Sequence, residues 1–102
     1  MVQSIRRRRK SLTAAWREEA ELNYVYLLRC ADGSLYCGWT TDPEARLRTH
    51  NSGQGTKYTR SRLPVEMVHL EAYEDRHEAL SREWHIKRMS HAEKEKLTGE
   101  KP

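Results

Sequence analysis

A β-hairpin is the strongest local signal in this chain, and the length of its turn constrains how the following residues fold. Two segments rich in β-forming residues flank an Asp-Gly turn: YVYLLRC (24–30) and LYCGW (35–39). A two-residue turn of Asp32 and Gly33 would pair Cys30 with Leu35. A three-residue loop ending at Gly33 would place this glycine in the left-handed conformation and pair Cys30 with Ser34.

The two loop lengths give different faces to the same side chains, because a shift of one residue in register inverts a strand. The shorter turn puts Tyr26 and Tyr36 on opposite faces of the hairpin. The longer loop puts them on one face and gathers the apolar side chains on the other: Val25, Leu27, Leu35, Cys37 and Trp39. The longer loop separates apolar from polar residues better, so we predict the three-residue loop.

A helix is predicted directly after the hairpin. Asp42 suits the N-cap position and Pro43 the first helical position. The alternative start is a capping box formed by Thr41 and Glu44. The Asn-Ser-Gly segment at 51–53 is expected to end the helix.

The second half of the chain predicts one further strand and two helices. VEMVHLEAY (65–73) alternates apolar positions and predicts a third strand. Capping patterns at Asp75 and Ser90 predict one helix through Met89 and a last helix that ends near Gly99. This order of elements predicts an α+β fold, a three-stranded antiparallel β-sheet flanked by helices.

At 102 residues, the chain has the length of one domain. We expect a basic arm and short helix over residues 1–22, the folded domain over 23–98 and a tail over 99–102. No apolar run is long enough to cross a bilayer, and no secretion signal follows the basic residues near the N-terminus. Cys30 and Cys37 do not make a disulfide framework, so a reduced, cytoplasmic protein is expected.

Basic residues concentrate in two places. Residues 1–11 hold five of the 19 Lys and Arg side chains and no acid, which leaves 14 basic and 15 acidic side chains for the rest. Five basic residues also lie between Arg46 and Arg62 with no acid among them. A solvated surface accounts for such a run. A phosphate-binding face accounts for it equally well.

Arg46 and Glu83 belong to the residue types from which a phosphodiester-cleaving site is built. An arginine can hold a phosphate through two parallel hydrogen bonds and stabilise the charge that develops on it. A single carboxylate suits a divalent cation that keeps most of its waters, as Mg²⁺ does. A tyrosine or histidine nearby could deprotonate the attacking water. Glu83 and Lys87 are also four residues apart, so an ordinary helical ion pair is the alternative.

Several features follow one another along the chain: Tyr24-Val25-Tyr26, Tyr36-Cys37-Gly38, Arg46 with His50, the loop GTKYTRSRLP (55–64), and Glu83. Together they resemble the GIY-YIG nuclease family. The loop resembles the small stand-alone branch of that family, the YhbQ-like proteins, which are related to the catalytic domain of structure-specific junction endonucleases. The resemblance runs from about Asn23 to Leu97 and implies the same three-stranded sheet.

The resemblance also implies roles for individual residues. Tyr26 and Tyr36 would line the active site, and one of them would position or deprotonate the nucleophilic water. Arg46 would bind the scissile phosphate, and His50 would assist in contact with water or phosphate. Glu83 would bind one divalent metal ion, Mg²⁺ or Mn²⁺.

Four further side chains are expected to bind the substrate. They are Lys57 and Tyr58 of the branch-specific loop, Arg60 from the same basic segment, and Lys87, for which pairing with Glu83 is the alternative. The implied function is a metal-dependent endonuclease that hydrolyses phosphodiester bonds in DNA, with branched or damaged DNA in repair or recombination as the expected substrate. The expected partner is nucleic acid, above all DNA; a protein partner that supplies substrate choice is a further hypothesis.

The chain departs from the family pattern at three points. Tyr24 stands where the family name has glycine, and Cys37 replaces its isoleucine; neither position supplies a reactive group. The asparagine that some branches carry near the C-terminal end has no counterpart, since the only asparagines are Asn23 and Asn51. The alternative function is therefore a nucleic-acid-binding module that retains the nuclease fold but cleaves weakly or not at all.

The remaining aromatic and histidine residues are interpreted as structural. We expect Trp39 and Trp84 in the core rather than as base-stacking surfaces. The other histidines lack ligand spacing and are expected to be structural or solvent-facing: His69, His77, His85 and His91.

Overall fold

The computed structural model describes residues 22–99. It has three strands and four helices: β1 (Asn23–Arg29), β2 (Leu35–Thr40), α1 (Pro43–Asn51), α2 (Lys57–Arg60), β3 (Glu66–Tyr73), α3 (Arg76–Lys87) and α4 (His91–Leu97). The strands form one antiparallel sheet in the order β2-β1-β3. The predicted α+β fold is confirmed. The predicted arm and short helix lie outside the described residues, apart from Leu22.

The hairpin has the three-residue loop. The amide of Cys30 donates to the carbonyl oxygen of Ser34 at 2.9 Å, and Gly33 has a φ of +88°. Asp32 stabilises the loop because its carboxylate accepts from both the amide and the hydroxyl of Ser34, at 3.0 and 2.6 Å. The predicted register is confirmed, and Tyr26 and Tyr36 lie on one face of the sheet.

The two faces of the sheet bury separate apolar clusters. The first contains Val25, Leu27, Leu35 and Cys37 together with Ala79 and Ile86 of α3. The second contains Tyr26, Leu28, Cys30, Val65 and Leu70, with Leu47 of α1 packed against it. Helices α1 and α3 therefore lie on opposite faces of a single-layer sheet, and the tyrosine pair belongs to the α1 face.

A β-bulge in β3 explains why its apolar pattern is irregular. Leu27 of β1 pairs with His69, whereas the next residue, Leu28, pairs with Met67. Val68 is the extra residue, and the bulge lets it pack toward the α3 cluster while Met67 packs toward the α1 cluster. Met67 and Val68 are therefore both packed against apolar clusters although they are consecutive in the strand.

The helix ends follow the predicted capping chemistry closely. Asp42 is the N-cap of α1, where its side chain accepts from the amide of Ala45, and Pro43 is the first helical residue. Ser90 and Glu93 form a reciprocal capping box at α4. The first of the two C-terminal helices ends at Lys87, two residues earlier than predicted.

A buried carboxylate links β3 to α3. Glu71 accepts hydrogen bonds from His69 at 2.7 Å, from Tyr73 at 2.6 Å and from Arg82 at 2.9 Å through each of two nitrogens. Burial alone would raise the pKa of Glu71, but these hydrogen bonds outweigh it and lower the pKa to about 2. His69 is thus structural, as predicted, while the three others, His77, His85 and His91, are exposed.

Trp39 and Trp84 differ in burial. Trp39 is half-buried against the α3 cluster and donates to Asn23 at 3.3 Å, in agreement with the prediction. The prediction for Trp84 was wrong, since this side chain is 55% exposed. Ala79 and Ile86 define the inward face of α3, and at 100° per residue position 84 points to the outer side. Within residues 22–99, no helix has the length and apolar character to span a membrane.

Candidate active site

A glycine in the edge strand makes room for the first site tyrosine. Gly38 lies directly opposite Tyr26 in the sheet register. A Cβ atom at this position would collide with the hydroxyl and Cζ of Tyr26, so only glycine lets the ring lie across β2. The Tyr26 side chain is consequently 1% exposed and its hydroxyl is held on the α1 side of the sheet.

Helix α1 presents two side chains to that hydroxyl. The Tyr26 hydroxyl oxygen lies 3.0 Å from Nε2 of His50, and Nε of Arg46 donates to the same oxygen at 3.4 Å. Arg46 and His50 reach it together because they are four residues apart on one side of the helix. Burial raises the pKa of Tyr26 to about 12, although the hydrogen bond from Arg46 opposes the shift.

His50 is fully buried and held at both ring nitrogens. Its Nδ1 lies 2.9 Å from the hydroxyl of Thr59, which itself donates to the carbonyl oxygen of Thr56 at 3.2 Å. With its own proton directed at Thr56, the Thr59 oxygen can accept a proton from Nδ1. Burial lowers the pKa of His50, and Arg46 lowers it further, so the ring is neutral around pH 7.

The other end of the ring favours the same tautomer. The oxygen of Tyr26 already accepts from Arg46, so its own proton has His50 Nε2 as acceptor. With the ring proton on Nδ1, the Tyr26 hydroxyl and both ring nitrogens of His50 are satisfied. The resulting chain of hydrogen bonds runs Tyr26, His50, Thr59.

Two residues of this arrangement escaped the sequence analysis. Thr59 is 0% exposed, and Gly55 is placed so that a Cβ atom would collide with the His50 ring. Both belong to the GTKYTRSRLP loop, for which the sequence predicts only substrate contact. Their sequence signal is weak, because a threonine and a glycine in a polar loop are also ordinary turn residues.

Tyr36, the second site tyrosine, is partly exposed to solvent. Tyr36 is half-buried, with its ring centroid 6.5 Å from that of Tyr26 and 5.5 Å from that of His50. Tyr58 stacks on Tyr36 at 5.8 Å, and the guanidinium carbon of Arg62 lies 3.9 Å from the Tyr58 ring centroid. The structure thus brings Tyr58 beside the predicted tyrosine pair.

The Arg62 contact was not predicted, and it depends on the hairpin loop. Arg62 donates to Asp32 at 3.0 Å and to the carbonyl oxygen of Tyr58 at 2.7 Å. Asp32 therefore connects the β1–β2 loop to the ring stack. The two other basic residues predicted for this segment, Lys57 and Arg60, are exposed on α2.

Glu83 lies on the other side of the edge strand. Its carbonyl oxygen is 4.0 Å from Sγ of Cys37, which points to the α3 face while its neighbour Tyr36 points to the α1 face. The Glu83 carboxylate pairs with Lys87 at 3.2 Å. Burial opposes the charged form of Lys87, but Glu83 outweighs it and raises the pKa of Lys87.

The structure thus brings Tyr26, Tyr36, Arg46 and His50 into one cluster, whereas Glu83 and Lys87 form a pair next to β2. Within residues 22–99, no group of three or more His, Cys, Asp or Glu side chains could hold a metal ion. The cluster combines a guanidinium, a neutral imidazole and two phenols. This combination can bind an anionic group and accept a proton beside it.

Residues 22–96 match the GIY-YIG catalytic domain. This chain belongs to the GIY-YIG family. Membership places it in a nuclease superfamily, and a domain of this kind implies binding of nucleic acid. The same stretch contains the tyrosine pair, Arg46, His50 and Glu83.

Two curated relatives illustrate the branch of the GIY-YIG family. A UPF0213 protein of Haloquadratum walsbyi is 50% identical over 80 residues, which cover 78% of this chain and 90% of that protein. A UPF0213 protein of Syntrophus aciditrophicus is 53% identical over 81 residues, which cover 78% of this chain and 93% of that protein.

Two solved structures share the GIY-YIG fold described above. The solution NMR structure of a UPF0213 protein from Bacillus halodurans has a TM-score of 0.51 at 44% identity, covering 76% of this chain and 83% of that one. The solution NMR structure of a protein from E. faecalis has a TM-score of 0.53 at 48% identity, covering 74% and 80%.

Proposed function

We propose that this protein is a divalent-metal-dependent endonuclease that hydrolyses phosphodiester bonds in DNA. The observation that supports the proposal most directly is the Tyr26 hydroxyl, 3.0 Å from His50 Nε2 and 3.4 Å from Arg46 Nε. A proton acceptor and a phosphate-binding cation are thereby adjacent. This is the pair of functions that attack of water on a phosphodiester requires.

Tyr26 is proposed to act together with His50. A phenol whose pKa is about 12 is seldom ionised, so Tyr26 alone is a poor base. We assign the proton path as follows: the attacking water gives its proton to the Tyr26 oxygen while the Tyr26 proton passes to His50 Nε2. The phosphorus–oxygen bond to the leaving group breaks, and the leaving oxygen takes a proton from solvent.

Arg46 and Tyr36 are proposed to position the phosphate. The Nε of Arg46 is used by Tyr26, while the terminal nitrogens of the guanidinium are suited to the two oxygens of a phosphate. Tyr36 is the more exposed of the two tyrosines and lies against the His50 ring, so its hydroxyl would meet the substrate first. This surface would continue along the DNA strand through three further residues: Lys57, Tyr58 and Arg60.

Glu83 is the residue proposed to hold the metal ion. Its carboxylate is a hard oxygen donor, and one such donor suits Mg²⁺ or Mn²⁺, which retain water and take further oxygens from the substrate phosphate. When bound, the ion would supply positive charge that neutralises the phosphate oxygens. The Lys87 ammonium now neutralises this carboxylate and would have to separate from it, as an exposed lysine is able to do.

The test is a cleavage assay on duplex, flap and junction DNA with Mg²⁺ or Mn²⁺. Arg46→Ala is expected to lower kcat by about 100- to 1,000-fold because it removes stabilisation of the transition-state charge. Arg48→Ala is the matched control: this arginine lies on the same helix but is exposed, and its loss should leave activity nearly unchanged. Glu83→Gln should abolish metal-dependent turnover, with Glu78→Gln, at an exposed position of the same helix, as control.

The outcomes separate the two functional hypotheses. Equal activity of wild type, Arg46→Ala and Glu83→Gln would identify a contaminating nuclease and refute the proposal. Salt-dependent binding of DNA without turnover under either metal would instead favour a binding module, for which the Glu83–Lys87 ion pair is the supporting observation.

A further inference from the structure

The outer side of α3 carries an exposed aromatic group with a cation stacked on it. Trp84 is 55% exposed and Leu80, one turn earlier, is 36% exposed. The guanidinium carbon of Arg88 lies 4.5 Å from the Trp84 ring centroid, and the His85 ring meets Trp84 edge-on at 5.0 Å. The side chain therefore contacts two neighbours on its own helix although the core does not cover it.

This surface begins near the edge strand and continues to the outer side of α3. Arg76, Leu80 and Trp84 follow one another at intervals of four and form one stripe of the helix. At one end of the stripe, the guanidinium carbon of Arg76 is 5.1 Å from the ring of Trp39 in β2. Beside Trp84, the carbonyl oxygen of Glu83 contacts Cys37 in the same strand. The strand that carries Tyr36 thus runs alongside the Trp84 stripe.

The charges around the stripe match a polyanion. Arg76 belongs to it and Arg88 stacks on Trp84, while Lys87 and Glu83 beside it form a neutral ion pair. An aromatic ring flanked by cations is the combination that proteins use to bind unpaired strands, since bases stack on the ring while phosphates meet the cations. A second copy of the chain is a poorer occupant, because a two-fold contact would bring these cations against their own copies.

We propose that Trp84 and Arg88 form a stacking platform for an unpaired base of the DNA strand whose phosphate enters the active site. The proposal rests on the proposed nuclease function and adds a substrate feature to it. An unpaired nucleotide of that strand is bound by the platform, whereas the stacked bases of an intact duplex offer it no free face. Trp84 contacts substrate but takes no part in the proton path.

The experiment measures equilibrium binding by fluorescence anisotropy without metal, so that nothing is cleaved. Three probes of equal length are compared: a single-stranded oligonucleotide, the same strand made of abasic sites, and a blunt duplex. Trp84→Leu is expected to weaken binding of the single strand by about tenfold and to leave binding of the abasic strand and the duplex unchanged. Trp84→Phe keeps a stacking ring and should lose much less.

Arg88→Ala gives an independent readout. Loss of a phosphate-facing cation should reduce the salt dependence of binding, by about one unit of slope in a log–log plot, while Trp84→Leu should leave the slope unchanged. Circular dichroism verifies that both variants are folded, which the exposure of Trp84 leads us to expect.

The results also separate failure of this proposal from failure of the proposed function. Wild type that neither binds nor cleaves any of the DNA probes refutes both. Wild type that binds or cleaves while Trp84→Leu matches it on every probe refutes the platform alone. An equal loss on the intact and the abasic strand also overturns stacking, because the missing interaction would then not involve bases.

Discussion

Replacing Thr59 with valine tests the hydrogen-bond chain at its least obvious member. Valine has nearly the shape of threonine but lacks the hydroxyl, and both Thr59 and His50 are 0% exposed, so water cannot replace the lost contact. A proton on Nδ1 of His50 would then be a buried donor without an acceptor, at a cost of about 1–3 kcal/mol in the free energy of unfolding.

The ring can avoid part of that cost by moving its proton to Nε2. This tautomer directs a donor at the Tyr26 hydroxyl, so His50 can no longer accept the Tyr26 proton. We expect kcat to fall by about 100-fold, at the lower end of what general-base catalysis contributes. Thr59→Ser keeps the hydroxyl and should retain most of the activity.

The assay pairs initial cleavage rates with urea unfolding of each variant. Thr49→Val is the matched control: Thr49 also lies near His50 in sequence, but its hydroxyl donates to the carbonyl oxygen of Ala45 at 3.0 Å and not to the site. Wild-type kcat in Thr59→Val, with or without a loss of stability, would refute the proposed role of the His50 tautomer. If Thr59→Val does not fold, nitrogen NMR of the wild-type imidazole decides the tautomer directly.

Two further predictions concern the glycines of the hairpin and the buried carboxylate of Glu71. Gly38→Ala should abolish activity because the added Cβ displaces the Tyr26 ring. In Gly33→Ala no atom lies within 4 Å of the added Cβ, so only strain of about 1–2 kcal/mol from the left-handed backbone is expected, with kcat preserved. The pKa of Glu71 is lowered from 4.5 to about 2, so its contribution of about 3 kcal/mol is complete above pH 4.5 and is lost as pH falls toward 2. Urea unfolding at a series of pH values should show this loss in wild type and in the exposed-site control Glu66→Gln, and a flatter profile in Glu71→Gln. A Glu71→Gln profile as steep as that of wild type or of Glu66→Gln would contradict the prediction.

Local chemistry made much of the fold predictable. The loop length could be inferred because one register of the hairpin separates apolar from polar side chains and the other does not. The start of α1 followed from the side-chain oxygen of Asp42 and the proline after it. In each case, neighbours within a few residues decide the outcome.

The parts that could not be predicted depend on contacts distant in sequence. Trp84 is apolar, and nothing in its own segment says which side of α3 meets the sheet. The role of Thr59 follows from a loop that folds back over α1, and Arg62 finds Asp32 thirty residues away. The resemblance grouped Glu83 with the tyrosines, but it could not show that a strand lies between them.

The single-layer sheet separates Glu83 from the tyrosine pair, although both are proposed to act on one phosphate. Tyr36 and Cys37 are consecutive in β2, and a strand points successive side chains to opposite faces. The Tyr36 phenol and the Cys37 thiol that contacts Glu83 are therefore directed to opposite faces by the pleat of one strand. A substrate that contacts Tyr36 and Glu83 together would therefore have to span the edge of the sheet at β2.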